Sequence, residues 1–174
     1  MKTAVVLLSG GMDSAVCAAI AKKDGYNIYV IHVDYGQRTN KKEYNCAKDI
    51  SSFYNALDFK VINLDFLKEI GGSGLTDKSI DLPKAETIGI PPSYVPFRNS
   101  ILLSLATAWA EVVGAEAIYY GANSIDFSGY PDCRPLFFEA FQELIDAGTK
   151  DHTNIKLKTP LAYMSKGDIV KKGI

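Results

Sequence analysis

Cysteine is scarce in this sequence, and the cysteines it has do not pair. Cys17, Cys46 and Cys133 are the only three in 174 residues. They are far apart and odd in number, which excludes a disulfide framework and a CxxC metal site and points to a reducing cytoplasm. A basic excess is also missing. A formal net charge of −1 gives no long-range pull on a nucleic-acid backbone, although a local basic patch stays open. No apolar run approaches the roughly 20 residues a membrane-spanning helix needs. The run Ala4-Val5-Val6-Leu7-Leu8 stops at Ser9-Gly10-Gly11, too short for the core of a signal peptide. Two common nucleotide fingerprints are absent as well: there is no Gly-Lys-Ser/Thr of a Walker A loop and no GxGxxG. Repeats, low-complexity tracts and linkers are lacking, so residues 1–174 are expected to form one domain.

What is present is a regular alternation. Hydrophobic residues at 47% and charged ones at 22% suit a soluble chain with a packed core. Residues 4–8, 27–33, 59–64, 117–120 and 155–157 read as strands. Residues 14–23, 40–53, 98–113, 135–147 and 165–172 read as helices, with Gly25 and Gly114 as stops, Pro135 in a first turn and Ser165 as a cap. Strands alternating with helices predict an α/β fold, an open parallel sheet with helices on both faces. Two long loops, 71–96 and 121–134, interrupt the pattern and are expected to be functional.

The strongest chemical signal is Ser9-Gly10-Gly11-Met12-Asp13-Ser14, set between the first strand and the first helix. Open α/β sheets bind ligands at that end of their strands. Gly10 and Gly11 let the backbone turn tightly and bring N–H donors to an anion. The following helix adds positive partial charge. Ser9 and Ser14 offer hydroxyls to phosphate oxygens, and Asp13 can hold an accompanying Mg²⁺. A second cluster, Asp34-Tyr35-Gly36-Gln37-Arg38 with Glu43, follows the second strand. A third, Gly121 to Arg134, follows the fourth. All three fall on one rim of the sheet.

The first cluster resembles the PP-loop of the N-type ATP pyrophosphatases, an adenine nucleotide alpha hydrolase-like group that attacks the α-phosphate of ATP. Together with Leu75-Thr76, Val95-Pro96-Phe97-Arg98-Asn99 and Asp126 to Arg134 (with its SGYPDCR run), the clusters resemble the 7-cyano-7-deazaguanine synthase family over essentially the whole chain. The resemblance implies conversion of 7-carboxy-7-deazaguanine, with ammonia and ATP, to the nitrile through adenylates. It implies small-molecule substrates with no direct nucleic-acid or membrane partner; the oligomeric state stays open, a homodimer included. The alternatives are a PP-loop enzyme adenylating a tRNA base and a nucleotide-binding module without catalysis.

The nucleotide stretch is expected to run through Leu8, Ser9, Gly10, Gly11, Met12, Asp13, Ser14, Ala15, Val16, Cys17 and Ala18, with ATP and Mg²⁺ as cofactors. Asp13, Arg98, Asp132 and Arg134 are the expected catalytic residues. Arg98 and Arg134 would meet phosphoryl or carboxylate charge, and Asp132 the deazaguanine edge. Asp126 is open between chemistry and an Asx turn. Cys133 and His32 are expected to be packed residues rather than a nucleophile and a ligand. Three departures from the family pattern stand out. Thr39 replaces the usual His, one residue is added before Glu43, and Phe97 replaces a frequent Gly. The family also has a cysteine-rich zinc segment beyond a helix like 165–172. Its ligands are not in this sequence, so no metal residue is assigned, and the chain is expected to be a zinc-free fragment of low activity.

Overall fold

The computed structural model describes residues 1–77, 79–81, 89–123 and 129–173. Along the chain run β1 (Thr3–Leu7), α1 (Met12–Lys23), β2 (Asn27–Asp34), α2 (Asn40–Phe53), β3 (Asp58–Asn63), α3 (Phe66–Ile70) and α4 (Arg98–Val113). Then come β4 (Ala117–Tyr119), a 3-10 turn (Pro131–Cys133), α5 (Pro135–Gly148), β5 (Lys156–Lys158) and α6 (Lys166–Gly173). The strands form one sheet in the order β3-β2-β1-β4-β5, and each pairing is parallel.

Burial on both faces explains the unbroken apolar runs of β1 and β2. Val5, Leu7, Ile31 and Val33 share one core with Leu102, Leu103, Ala106, Trp109 and Ala110 of α4 and Phe138, Phe141 and Ile145 of α5. Ala4, Val6, Leu8, Ile28 and Val30 turn the other way, against Val16, Cys17, Ala18 and Ala21 of α1, Ala47 of α2 and Ile169 of α6. The spacing 102, 103, 106, 109, 110 is one face of a helix. Small residues on α1 let it lie close to the sheet.

Strand order reverses at β1: β2 and β3 lie to one side, β4 and β5 to the other. The carboxyl ends of β1 and β4 therefore diverge into separate connections and leave a crevice between them.

Several boundaries differ from expectation. The first helix begins at Met12 rather than Ser14, because the Gly11 carbonyl already accepts from Ala15 N–H at 3.1 Å. Half of the glycine loop is thus the first helical turn. The fifth strand is shifted by one residue and the fourth is one shorter, both being three residues long. α3 and the 3-10 turn are too short to show a period. Ser165 caps α6 as expected: Asp168 N–H donates to its Oγ at 3.2 Å, and the Asp168 carboxylate accepts from Ser165 N–H and hydroxyl. Asp126 and Ile174 lie outside the described residues.

Phe97, just before α4, sits at φ 56°, ψ 19°, in the left-handed region where a side chain costs roughly 1–2 kcal/mol. Its ring is 64% exposed, so little packing offsets that cost. Phe97→Gly is expected to raise stability by up to about 1 kcal/mol, after the extra chain entropy of glycine is subtracted. A urea titration would show a higher midpoint at unchanged slope; a midpoint lowered by a comparable amount would mean the ring holds the turn.

Candidate active site

A cavity of about 490 Å³ opens on the carboxyl rim, a size suited to a small-molecule site. The loop after β1 supplies Leu8, Ser9, Gly11, Met12, Asp13 and Ser14 to its wall. Tyr35 and Glu43 come from the β2 side, Arg98 from the start of α4, and Tyr120, Gly121, Asp132 and Cys133 from the segment after β4. Lys166 of α6 closes the list.

The loop is braced from within. Ser14 Oγ donates to the Gly11 carbonyl at 2.9 Å, Ser9 N–H donates to Ser14 Oγ at 3.2 Å, and Gly11 N–H donates to Ser9 Oγ at 3.3 Å. Gly11 is the N-cap of α1, and no side chain caps the helix there. First-turn N–H groups therefore point an uncapped, positively polarised helix end at the cavity. Gly10, at φ 84°, faces away from the cavity wall. A methyl at that position would stand 2.3 Å from the Glu43 carbonyl oxygen.

Asp13 is the acidic residue of that first turn. Its Oδ2 accepts from Asn123 Nδ2 at 2.8 Å and from the Lys166 ammonium. Its Oδ1 is buried and has no partner among the described residues. Such an acceptor fits a hard divalent cation that takes its other ligands from phosphates and water. No cluster of three or more His, Cys, Asp or Glu able to hold a metal exists among the described residues.

The opposite wall is a polar network around Asn99. Arg98 Nη1 donates to Tyr35 Oη at 2.9 Å, and its Nε and Nη2 reach Asn99 Oδ1 at 3.3 and 3.2 Å. Tyr120 Oη donates to the same Oδ1 at 2.7 Å. Asn99 Nδ2 donates to the Asp132 carbonyl and to Cys133 Sγ, and Asn99 N–H donates to Asp132 Oδ2 at 2.9 Å. Burial works against the charge on Arg98, but Tyr35, Tyr120 and Asp132 outweigh it and hold the guanidinium protonated. Asp132 is 3% exposed, and its Oδ1 has no partner among the described residues. Burial raises its carboxyl above the usual range, with Asn99 and Arg98 pulling it back down.

The structure thus brings Leu8, Ser9, Gly11, Met12, Asp13, Ser14, Arg98 and Asp132 to one cavity. It does not bring the whole expected stretch. Val16, Cys17 and Ala18 lie in the core beneath α1, where burial and then Asp13 push the Cys17 thiol well above its ordinary pKa. Ala15 and Gly10 are half-buried and off the cavity wall. Arg134 is exposed at the N-cap of α5, one residue past the lining Cys133. His32 is a core residue, its Nδ1–H donating to the Leu8 carbonyl at 2.9 Å. Sequence reasoning gave no role to Lys166, while Tyr35 and Asn123 entered only as members of the second and third rim clusters. Lys166 left one signal: a lysine in a helix's first turn opposes the macrodipole.

The model of the family described as "Queuosine biosynthesis protein QueC" matches residues 3–174. The chain belongs to this family. It is 51% identical over 173 residues to the 7-cyano-7-deazaguanine synthase of Methanospirillum hungatei, covering 98% of this chain and 79% of that one. The enzyme of the same name from Chlorobium chlorochromatii is 52% identical over 173 residues, covering 98% and 76%. Among solved structures, a predicted subunit of a tRNA methyltransferase from Methanocaldococcus jannaschii aligns with a TM-score of 0.62 at 20% identity, covering 99% of this chain and 74% of that one. The NH3-dependent NAD synthetase of Campylobacter jejuni aligns at 0.54 and 17%, covering 98% and 62%. These two share the fold.

Thr39 donates its hydroxyl to Glu43, and Gln37 Nε2 donates to the other Glu43 oxygen at 2.8 Å. Glu43 is thereby held at the cavity edge without an imidazole.

The raised Asp132 carboxyl carries a sign. Its contribution to stability is present in full below the unfolded carboxylate pKa and is lost as pH rises through the folded value. Asp132→Asn, which cannot ionise, is expected to melt higher than the parent at pH 7, the gap closing toward about pH 4. Thermal melts at the two pH values check it; a gap that widens on acidification would contradict the burial argument.

Proposed function

We propose that the chain converts 7-carboxy-7-deazaguanine, ammonia and ATP to 7-cyano-7-deazaguanine, through adenylates formed in this one cavity. The observation that carries the reading is the meeting of an uncapped helix N-terminus and glycine loop with a buried polar wall of Arg98, Asn99 and Asp132. Family membership supplies the substrate. The fold likeness adds only that such a sheet positions loops on this rim.

The loop of Ser9, Gly11, Asp13 and Ser14, its turn held by Gly10, receives the pyrophosphate end of ATP. Asp13 would hold Mg²⁺, which would supply positive charge against the leaving pyrophosphate. Arg98, kept cationic by its neighbours, stabilises charge on the α-phosphoryl or the reacting carboxylate. Asp132 lines the cavity, and its Oδ1, an acceptor without a partner among the described residues, is suited to the N–H edge of a guanine-like ring. Arg134, exposed one residue past the lining Cys133, is the second cation this reading assigns to the carboxylate.

The chemistry follows from electrophilicity. A carboxylate oxygen attacks the α-phosphorus, pyrophosphate leaves, and the acyl carbon becomes electrophilic. Ammonia adds to it, AMP departs and a proton is lost, leaving the amide. The amide oxygen then attacks a second ATP at the α-phosphorus and pyrophosphate leaves; the nitrogen gives up both its protons and the C–O bond breaks with AMP taking the oxygen, which leaves the nitrile. The protein's share is orientation and fixed dipoles.

Spent nucleotide is expected to be AMP and pyrophosphate, about two of each per nitrile. Chromatography at enzyme concentrations near that of the acid would read even slow turnover. ADP and inorganic phosphate as main products would overturn the assignment. Asp13→Asn is expected to cut turnover by on the order of a hundredfold or more, with a melting temperature close to the parent's. Activity within a few-fold of the parent would leave Asp13 as a helix-start residue.

A further inference from the structure

The ion pair between Lys166 and Asp13 joins residues 153 apart in the sequence and lies inside the cavity wall. Lys166 opens α6, where the helix dipole disfavours a cation. The helix does not need the lysine there, since Ser165 and Asp168 cap it between themselves. Its backbone is nevertheless fixed. Ile169 is fully buried in the core shared with α1, and Gly173 lies so close to α1 that a methyl on it would stand 2.9 Å from Val16 Cγ2. The lysine is therefore anchored at its root against the very helix that carries Asp13. Its own side chain is 46% exposed, free to swing.

We propose that Lys166 is a stand-in cation for Asp13: it occupies the carboxylate when no nucleotide is bound, and yields it to a divalent metal only when nucleotide phosphates are present to receive the ammonium. The proposal rests on the reading of Asp13 as the metal carboxylate. A metal arriving alone must displace the ammonium from Asp13 Oδ2 or share the carboxylate with it, and the two cations repel across a short gap. A metal arriving with phosphates brings new anions for the lysine, which lines the same cavity. Metal and nucleotide thereby raise each other's affinity through one exchangeable ion pair, and the coupling is reciprocal. The result is a positioning role: Lys166 makes the site accept metal–nucleotide as a unit and discriminates against free metal.

The test is Mn²⁺ binding, read by the loss of the free-ion EPR signal, with and without an ATP analogue whose α,β-bridging oxygen is a methylene. Without nucleotide, Lys166→Met is expected to bind Mn²⁺ at least tenfold more tightly than the parent, while Lys166→Arg, which keeps the charge, stays within twofold of it. The factor by which the analogue tightens Mn²⁺ binding should fall at least tenfold in Lys166→Met. Lys166→Gln serves the same comparison if the Met variant melts early. Equal nucleotide-free affinities in the parent and the neutral variants would overturn the proposal while leaving Asp13 as the metal ligand, provided Asp13→Asn loses Mn²⁺ in the presence of the analogue. If Asp13→Asn binds metal and analogue as the parent does, the metal reading of Asp13 falls, and the role of Lys166 falls with it.

Discussion

The carboxyl rim is crowded with backbone, and the loop after β1 fits there because one side chain is missing at residue 10 and a second, with less at stake, at residue 121. At residue 10 a methyl would stand 2.3 Å from the Glu43 carbonyl and 3.0 Å from Cys46 Cβ. At residue 121 a methyl would stand 3.1 Å from the Asp13 carbonyl carbon. Main-chain atoms inside helices cannot step aside as a flexible side chain can, so the first contact demands glycine and the second, less severe, disfavours a side chain. Wedged between α2 and the segment after β4, the loop has one course open to it. That course sets the direction of the first turn of α1, and with it where Asp13 and the uncapped N–H groups point.

The far wall depends on a different economy, that of hydrogen-bonding capacity. Asn99 gives both amide protons away, to the Asp132 carbonyl and Cys133 Sγ, and its oxygen accepts from Arg98 and Tyr120. An amide is the only side-chain group that offers two donors and an acceptor in so small a volume. Aspartate at this position would lose the donors; a longer glutamine would displace them. Through this one residue the first turn of α4 is tied to the 3-10 turn after β4, and a buried network of this kind is stiff when its members are satisfied. Arg98 gains its orientation and its protected charge from the same arrangement.

Much of this was legible in the sequence because it was local. A strand ending in Ser-Gly-Gly and followed by small helical residues announces a loop on the ligand-binding rim, and the alternation of strand and helix announces the parallel sheet. Arg98 stood out because it opens a helix after a proline-rich loop and falls within the motif that carries the family resemblance, where arginine can read an anion. The glycines were legible as necessary, though Gly10 serves packing against α2 rather than approach to a ligand. What escaped depends on distant contacts. Lys166 reaches Asp13 only because α6 folds back on α1, and no pattern within ten residues of either encodes that. Asp132 sits in a run dense with polar residues, which suggests a wet loop; the backbone of α4 and the bulk around Cys133 bury it instead. Extending the nucleotide stretch to Ala18 overlooked the helical period, which turns Val16, Cys17 and Ala18 into the core.

Asp13 Oδ1 and Asp132 Oδ1, buried and without a partner among the described residues, bear on how firmly the folded chain holds together. A buried acceptor left without a donor costs roughly 1–3 kcal/mol, and whatever supplies that donor or a cation returns the cost to the native state alone. At a hundredfold excess over its dissociation constant, a ligand adds about 2.7 kcal/mol to the unfolding free energy, a sizeable fraction of the roughly 5–15 kcal/mol a domain possesses. The lifetime of this fold inside a cell is therefore partly a property of its metabolite pool: scarcity of substrate would shorten it, and abundance would protect the very catalyst that consumes it.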